Sequence, residues 1–275
     1  MVRAFLVIIC LILFSGITYS QQINKDICIT VDDLPVATTI FKDNETGKYI
    51  TNKLLSTFKK YKVVALGSVN SGKMVIDGKL DTIRLSFLKQ WLDSGMMLAN
   101  HTYSHKDYNK INFDEFRKDI EDGELYLKEL LKSKGQELKY FRHPFLYRGY
   151  TKEKADTLQK FLDSIGYTVA PVTIDNADYL FAFAYENAKS HKNELLCKKI
   201  GDDYIEYMDS VLKYYEVQSV KLLGYNPEHI LLCHASILNA DYMDRLLEMY
   251  VKNGYKFITI EEALKDSCYT SYKAR

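Results

Sequence analysis

The chain has 275 residues, with 37 Lys and Arg against 36 Asp and Glu and a formal net charge of +1. So even a balance gives no sign of a nucleic-acid groove or an anionic membrane surface as the main partner, because either draws on a sustained excess of positive charge. Tyrosine is abundant at 22 residues, and a ring with a polar tip suits a sugar face as well as a wet surface.

Residues 1–20 read as an export signal. Arg3 supplies a basic start, 4–14 form an apolar run too short to span a bilayer comfortably, and Thr18 and Ser20 are small residues before a cut near Gln21. A retained anchor is the alternative that this segment allows. No second long apolar run follows, so no stable membrane span is expected after signal removal, and an exported protein, periplasmic or extracellular, is. The remainder, 21–275, is about 255 residues, within reach of one soluble α/β domain.

From residue 27 onward, short apolar runs alternate with longer amphipathic stretches, the pattern of βα units around a parallel sheet or barrel of about seven strands. A strand is predicted at 27–31, a helix at 48–60, a strand at 62–66, a helix at 82–93 and a strand at 96–99. A helix at 113–134, a strand at 138–141, a helix at 152–165 and a strand at 168–171 follow. The segment 179–227 breaks the rhythm and reads as two helices, with Tyr204, Tyr207, Met208, Val211, Leu212 and Tyr215 at helical spacing. A strand at 229–233, a helix at 241–252 and a strand at 256–258 complete the pattern. Thr151 is placed to cap one helix and Gly166 to end it, Gly95 and Gly254 follow two others, and Thr259 with Glu262 forms a capping-box pattern. No repeat, low-complexity tract or linker marks a domain boundary.

Beyond the signal, Cys28, Cys197, Cys233 and Cys268 are too widely and irregularly spaced for a disulfide framework, although the compartment would permit one. Cys28 and Cys233 lie in apolar strand runs, where a free cysteine behaves as a small buried hydrophobe. Cys10 sits inside the leading apolar run and makes a poor lipid-attachment site.

In parallel α/β architectures, functional groups gather at the carboxyl ends of the strands. Those ends here hold Asp32 and Asp33, then His101 and His105, then Arg142 and His143, then Asp175 and Asp178, then His234, which takes in four of the chain's six histidines. His101 and His105 are four apart, so a helical turn would put both imidazoles on one face with the spacing of zinc ligands. The same pair could be exposed histidines at a helix start. Of the adjacent carboxylates Asp32 and Asp33, one could bind a metal while its neighbour takes a proton from water; as a bland pair they would cap a turn. Two acids directly after a buried strand require compensating charge, which a metal with Arg142 would provide.

One motif points elsewhere. Gly67-Ser68-Val69-Asn70-Ser71-Gly72-Lys73-Met74 nearly matches a phosphate-binding loop but lacks the final Ser or Thr that would bind magnesium. No nucleotide is expected. A turn on the rim of the active face, in reach of substrate, is the plainer reading.

Thr30-Val31-Asp32-Asp33-Leu34-Pro35, His101-Thr102-Tyr103-Ser104-His105, Arg142-His143-Pro144-Phe145, Asp175-Asn176-Ala177-Asp178-Tyr179 and Leu232-Cys233-His234 resemble, in order, the five motifs of the polysaccharide deacetylases, carbohydrate esterase family four. The resemblance extends nearly to the end of the chain. It implies a distorted (β/α) barrel and a metal-dependent hydrolase that removes N-acetyl or O-acetyl groups from a carbohydrate. Asp33, His101 and His105 would hold the divalent metal, zinc by preference; Asp32 would be the general base, and Arg142 would orient it. His234 would be the general acid, kept cationic by Asp178, with the backbone N–H of Phe145 facing the oxyanion and Leu232 lining the acetyl pocket. The family usually has glycine at Leu34, proline at His143 and tryptophan at Tyr179, and these departures bear on substrate choice, with Leu34 and Tyr179 expected beside the substrate. A sibling hydrolase of another amide or ester, and an inactive secreted sugar-binding module, are the rival readings.

Overall fold

The computed structural model describes residues 25–270; the expected signal at 1–20 lies outside them. The strands are β1 (Asp26–Leu34), β2 (Leu66–Val69), β3 (Val75–Ile76), β4 (Lys79–Leu80), β5 (Met97–Asn100), β6 (Tyr140–Phe141), β7 (Thr168–Val169), β8 (His229–His234) and β9 (Lys256–Phe257). The helices are α1 (Asn44–Tyr61), α2 (Thr82–Asp93), α3 (Phe113–Lys132), α4 (Lys152–Ser164), α5 (Asp178–Ser190), α6 (Glu194–Leu223), α7 (Ile237–Lys252), α8 (Ile260–Ala263) and α9 (Ser267–Thr270).

Seven strands make one sheet in the order β7-β6-β5-β2-β1-β8, with β9 also against β1, and every pairing in it is parallel. Parallel neighbours require crossovers, and the helices supply them. Beyond β7 the chain reaches the opposite edge, where Ile174 bridges Leu231 and Thr173 N–H donates to Ile230 O. The sheet thus curls until its ends meet, and the expected distorted barrel is what forms.

Strand periodicity decides what faces the barrel interior. In β1, Ile27, Ile29 and Val31 belong to the large outer core under the helices, while Cys28 joins Leu66, Ala99, Tyr140, Ala170 and Ile230 in a smaller cluster inside the barrel. Counting on by twos from those interior positions reaches Asp32 from Cys28, His101 from Ala99, Arg142 from Tyr140, and Leu232 then His234 from Ile230. Four strands therefore deliver polar side chains to one end of the barrel by parity alone. Cys28 and Cys233 are both fully buried, as a small hydrophobe in a strand should be.

The helix ends follow their caps. Thr151 accepts from Lys154 N–H at the start of α4, and Thr259 with Glu262 makes the capping box of α8. The strand expected at 62–66 forms later, at Leu66–Val69, because Lys62 is the left-handed C-cap of α1 (φ 56°) and the chain needs 63–65 to turn back into the sheet. The β3–β4 hairpin was not anticipated; its signal was Asp77-Gly78, whose φ values of 50° and 73° make the two-residue turn favoured by that pair. The segment 179–227 does form two helices, α5 and the 30-residue α6.

Candidate active site

At the top of β1 the alternation breaks. The register shifts between Val31 and Leu34 and Asp33 takes a φ of 69°, so Asp32 and Asp33 bring both carboxylates to one cleft in different directions. Asp32 Oδ2 lies 3.8 Å from His101 Nε2 and its Oδ1 lies 3.8 Å from Arg142 Nε. Asp33 Oδ1 lies 3.9 Å from His101 Nε2 and 3.7 Å from His105 Nε2. Leu34 does not join them, contrary to the expectation that it stands beside the substrate. It is 1 % exposed and turned into the core, where its Cδ1 fills the space that a Cβ on Gly67 would occupy.

The two histidines meet without a helix. His101 directly follows β5 and His105 lies in an irregular loop whose Thr102 and His105 adopt φ of 66° and 57°, which sets the ring centroids 4.8 Å apart. Left-handed backbone in two non-glycine residues is costly and persists only where the surroundings over-determine it. Asp119 of α3 does so, accepting from Ser104 N–H and Oγ while its carbonyl accepts from Tyr103 N–H. His101 Nδ1 lies 2.8 Å from the Arg142 carbonyl; a carbonyl only accepts, so Nδ1 carries the proton and Nε2 turns a lone pair toward the acids.

Asp33, His101 and His105 each offer a ligand atom within 4.8 Å of the others. Asp32 Oδ1 and Asp33 Oδ1 are buried with no hydrogen-bond partner. Asp32 Oδ2 and Asp33 Oδ1 both face the His101 Nε2 lone pair, an arrangement of acceptors that a cation reconciles, and an imidazole–carboxylate donor set suits a divalent transition metal. Burial opposes charge on Asp33, but Lys73 and then the imidazoles of His105 and His101 outweigh it and hold the carboxyl well below its usual range. Burial pushes His105 down to about 4 and lowers His101, so both rings are neutral at pH 7, the form that ligates.

Across the cleft His234 pairs with Asp178. Nδ1 lies 2.6 Å from Asp178 Oδ1 and the His234 N–H donates to Oδ2 at 2.8 Å. Burial would lower this imidazole; the fully buried Asp178, helped by Asp33 and Asp32, reverses that and raises it to about 9. Arg142, also fully buried, donates from Nη2 to Thr30 Oγ1 at 2.8 Å. The cleft has a volume of about 1070 Å³, and Asp32, Asp33, His101, His105, Phe145, Tyr179, Leu232 and His234 all line it. Phe145, half exposed, sets its ring 4.4 Å from that of His105 in a T-shaped contact, and Tyr179 presents its ring to His234 at 6.3 Å. The sequence reading thus brings ten of its eleven candidates to one place, with Leu34 the exception.

Lys73 was passed over as part of the phosphate-loop lookalike. Gly67–Val69 of that motif is strand β2, and the Lys73 ammonium donates to the carbonyls of Asp33 and Val36 at 3.1 and 3.2 Å and lies 3.4 Å from Asp33 Oδ1. No phosphate cradle exists there. The signal was present, a lone lysine between glycine and the next strand at an active rim, but it pointed to the wrong ligand. His143 is buried with neither ring nitrogen partnered, and burial, then Arg148 and Arg142, push it down to about 3; this imidazole beside Arg142 is therefore neutral across the physiological range.

Residues 20–170 match the sequence profile of the polysaccharide deacetylases. The chain belongs to this family. A peptidoglycan N-acetylglucosamine deacetylase is similar in structure to this chain at 18% identity with a TM-score of 0.57, over 89% of this chain and 90% of that one. A peptidoglycan deacetylase from Bacillus subtilis is similar at 20% identity and a TM-score of 0.53, over 88% and 92%. A family-four pseudoenzyme from Bacillus anthracis shares 17% identity with a TM-score of 0.55, over 88% of this chain and 66% of that longer one. At such identities the likeness speaks for the fold. No curated protein matches this chain in sequence.

Proposed function

We propose that this polysaccharide deacetylase is an active, zinc-dependent hydrolase that removes N-acetyl groups from an amino-sugar polymer or oligomer outside the cytoplasm, with 1–20 as its export signal and 21–275 as its catalytic domain. The observation that carries the reading is the convergence of Asp33, His101 and His105 on one point with Asp32 on one side and His234 facing the same cleft. The similar structures include peptidoglycan deacetylases and an acetyl xylan esterase, so both amide and ester substrates belong in the test. Asp32 and His234, the residues assigned as proton carriers, both line the cleft, which supports the active reading over the inactive one.

Asp33, His101 and His105 would hold the divalent cation, which when bound supplies Lewis-acid polarisation of the acyl carbonyl and lowers the pKa of a water. Asp32, oriented by Arg142, takes the proton from the attacking water. The Phe145 N–H donates to the oxygen that gains charge in the tetrahedral transition state. His234, cationic through Asp178, gives its proton to the departing amine, so acetate and a free amine result. Leu232 lines the pocket for the acyl methyl, and the rings of Tyr179 and Phe145 present faces to the sugar.

Acetate release from N-acetylglucosamine oligomers, peptidoglycan and acetylated xylan, measured with and without a chelator, tests this. Zinc-restored release from the first two is expected. Asp32→Asn should cut turnover by at least about 100-fold while zinc content is unchanged; full turnover in that variant, or release indifferent to chelation, refutes the assignment.

A further inference from the structure

The Asp178–His234 pair does not stand alone. Asn239, in the first turn of α7, donates from Nδ2 to Asp178 Oδ2 at 2.7 Å and to the His234 carbonyl at 2.8 Å. Its Oδ1 accepts from the Tyr204 hydroxyl of α6 at 2.7 Å. Both neighbours of Nδ2 only accept, so the orientation of this amide is fixed by its partners. Asp178, Tyr204 and Asn239 are all fully buried, and burial raises the Tyr204 hydroxyl well above its usual range, which keeps it a donor.

The arrangement has a chemical purpose that neither member of the pair supplies. A general acid works best with a pKa near the working pH. An imidazolium held by an undivided buried carboxylate is over-stabilised and gives up its proton poorly. Each further donor to that carboxylate disperses its charge, and a donor already polarised by a third group does so more strongly, because chained hydrogen bonds reinforce one another. The groups facing His234 are Asp178 from α5, Asp32 and Asp33 from the end of β1, and the ring edge of Tyr179; Cys233 and Tyr204 face Asp178 from β8 and α6. Of these, only Asp178 touches the imidazole with its charge, so what draws on Asp178 governs the acid.

We propose that Asn239, and Tyr204 through it, are positioning residues that draw charge from Asp178 and so set how readily His234 releases its proton. The α5–α6 segment, which carries both Asp178 and Tyr204, thereby takes part in the chemistry as well as walling the cleft. This role for the relay rests on His234 acting as the acid in the proposed deacetylation.

The test uses the zinc-loaded protein with Asn239→Ala and Tyr204→Phe, the latter keeping the ring and removing only the hydroxyl. Nitrogen NMR of the His234 ring is followed against pH alongside the alkaline limb of kcat/KM. In Asn239→Ala the ring should titrate higher by about half to one pH unit, with the alkaline limb moving the same way; Tyr204→Phe should move both in that direction by less, at unchanged zinc content. A titration that stays or falls in both variants overturns the proposal, as does a rate loss equal at every pH, which a merely structural role would give. Where Asn239→Ala does not fold, Tyr204→Phe decides. The NMR reading does not depend on catalysis: a chain that releases no acetate yet shows the upward shift sinks the deacetylase reading and leaves the relay standing.

Discussion

Asp32 and His234 are register partners on neighbouring strands β1 and β8, so the proposed base and the proposed acid are separated by one inter-strand spacing and face the same cleft. His234 keeps its proton because Asp178, 2.6 Å away, outweighs the cost of burial and raises it to about 9. The donating form therefore persists through neutral pH and disappears only as the pH climbs through about 9, which places the alkaline limb of kcat/KM near that value in the native protein. Asp178→Asn removes the charge and should pull the limb down toward the ordinary histidine value of about 6.5. The same shift has a stability consequence. A pKa raised on folding adds stability that is fully present below the unfolded value and is lost as pH rises through the folded one. Asp178→Asn should thus unfold more readily than the native protein at about pH 6, with the difference shrinking by about pH 10; denaturant melts at the two pH values read this, and a gap that widens with pH would contradict it.

The loop between β5 and α3 is where local sequence rules and the observed structure part. Spacing of four suggested a helical turn for His101 and His105, yet the same proximity comes from two left-handed residues braced from behind by α3. Gly123 of α3 is what lets the brace come close: a Cβ there would sit 2.6 Å from Asn100 Oδ1 and 2.9 Å from the Thr102 backbone. Backbone cannot step aside as a side-chain tip can. Gly123→Ala should push α3 and the histidine loop apart and lower zinc affinity by roughly 10-fold or more, read by calorimetric titration of the chelated protein; unchanged affinity would show that the loop holds its shape without the helix. This explains what could be read from the sequence and what could not. End-of-strand placement brought Asp32, His101, Arg142 and His234 to one end of the barrel with no coordinates, and the period of two, counted from the interior cluster, accounts for their turning inward. Leu34 was misplaced because the register shift after Val31 turns its side chain outward, and no local pattern announces that shift. Asp119 escaped notice because an acid on the apolar face of a helix, among Phe116, Ile120 and Leu127, looks like a tolerated exception until the loop it holds is seen. Asn239 and Tyr204 escaped because they are 35 residues apart and meet only when α6 packs on α7.

Taken together, the barrel separates its stability from its chemistry along its own axis. The carboxyl ends of the strands hold the charged groups, while the interior below them is filled by Cys28, Leu66, Ala99, Tyr140, Ala170 and Ile230 and closed by Ile260, Ala263 and Tyr269 from the last helices. Tyr269 fastens that closure by donating its hydroxyl to the Glu228 carbonyl at 2.5 Å, just before β8 begins. A sheet that meets its opposite edge through a short bridge at Ile174 and Leu231 has few backbone bonds there, so side-chain packing must keep the ends together. Ile260 is fully buried in this plug. Truncating it to alanine removes apolar contacts and leaves a cavity, at a cost of about 2–5 kcal/mol. Because the loss falls at the far end of the barrel, Ile260→Ala should lower the denaturation midpoint while leaving zinc affinity and kcat/KM at low temperature unchanged. The opposite pattern, weaker zinc binding in a protein that melts normally, would mean that the plug and the metal cluster share one rigid unit rather than two ends of a divided barrel.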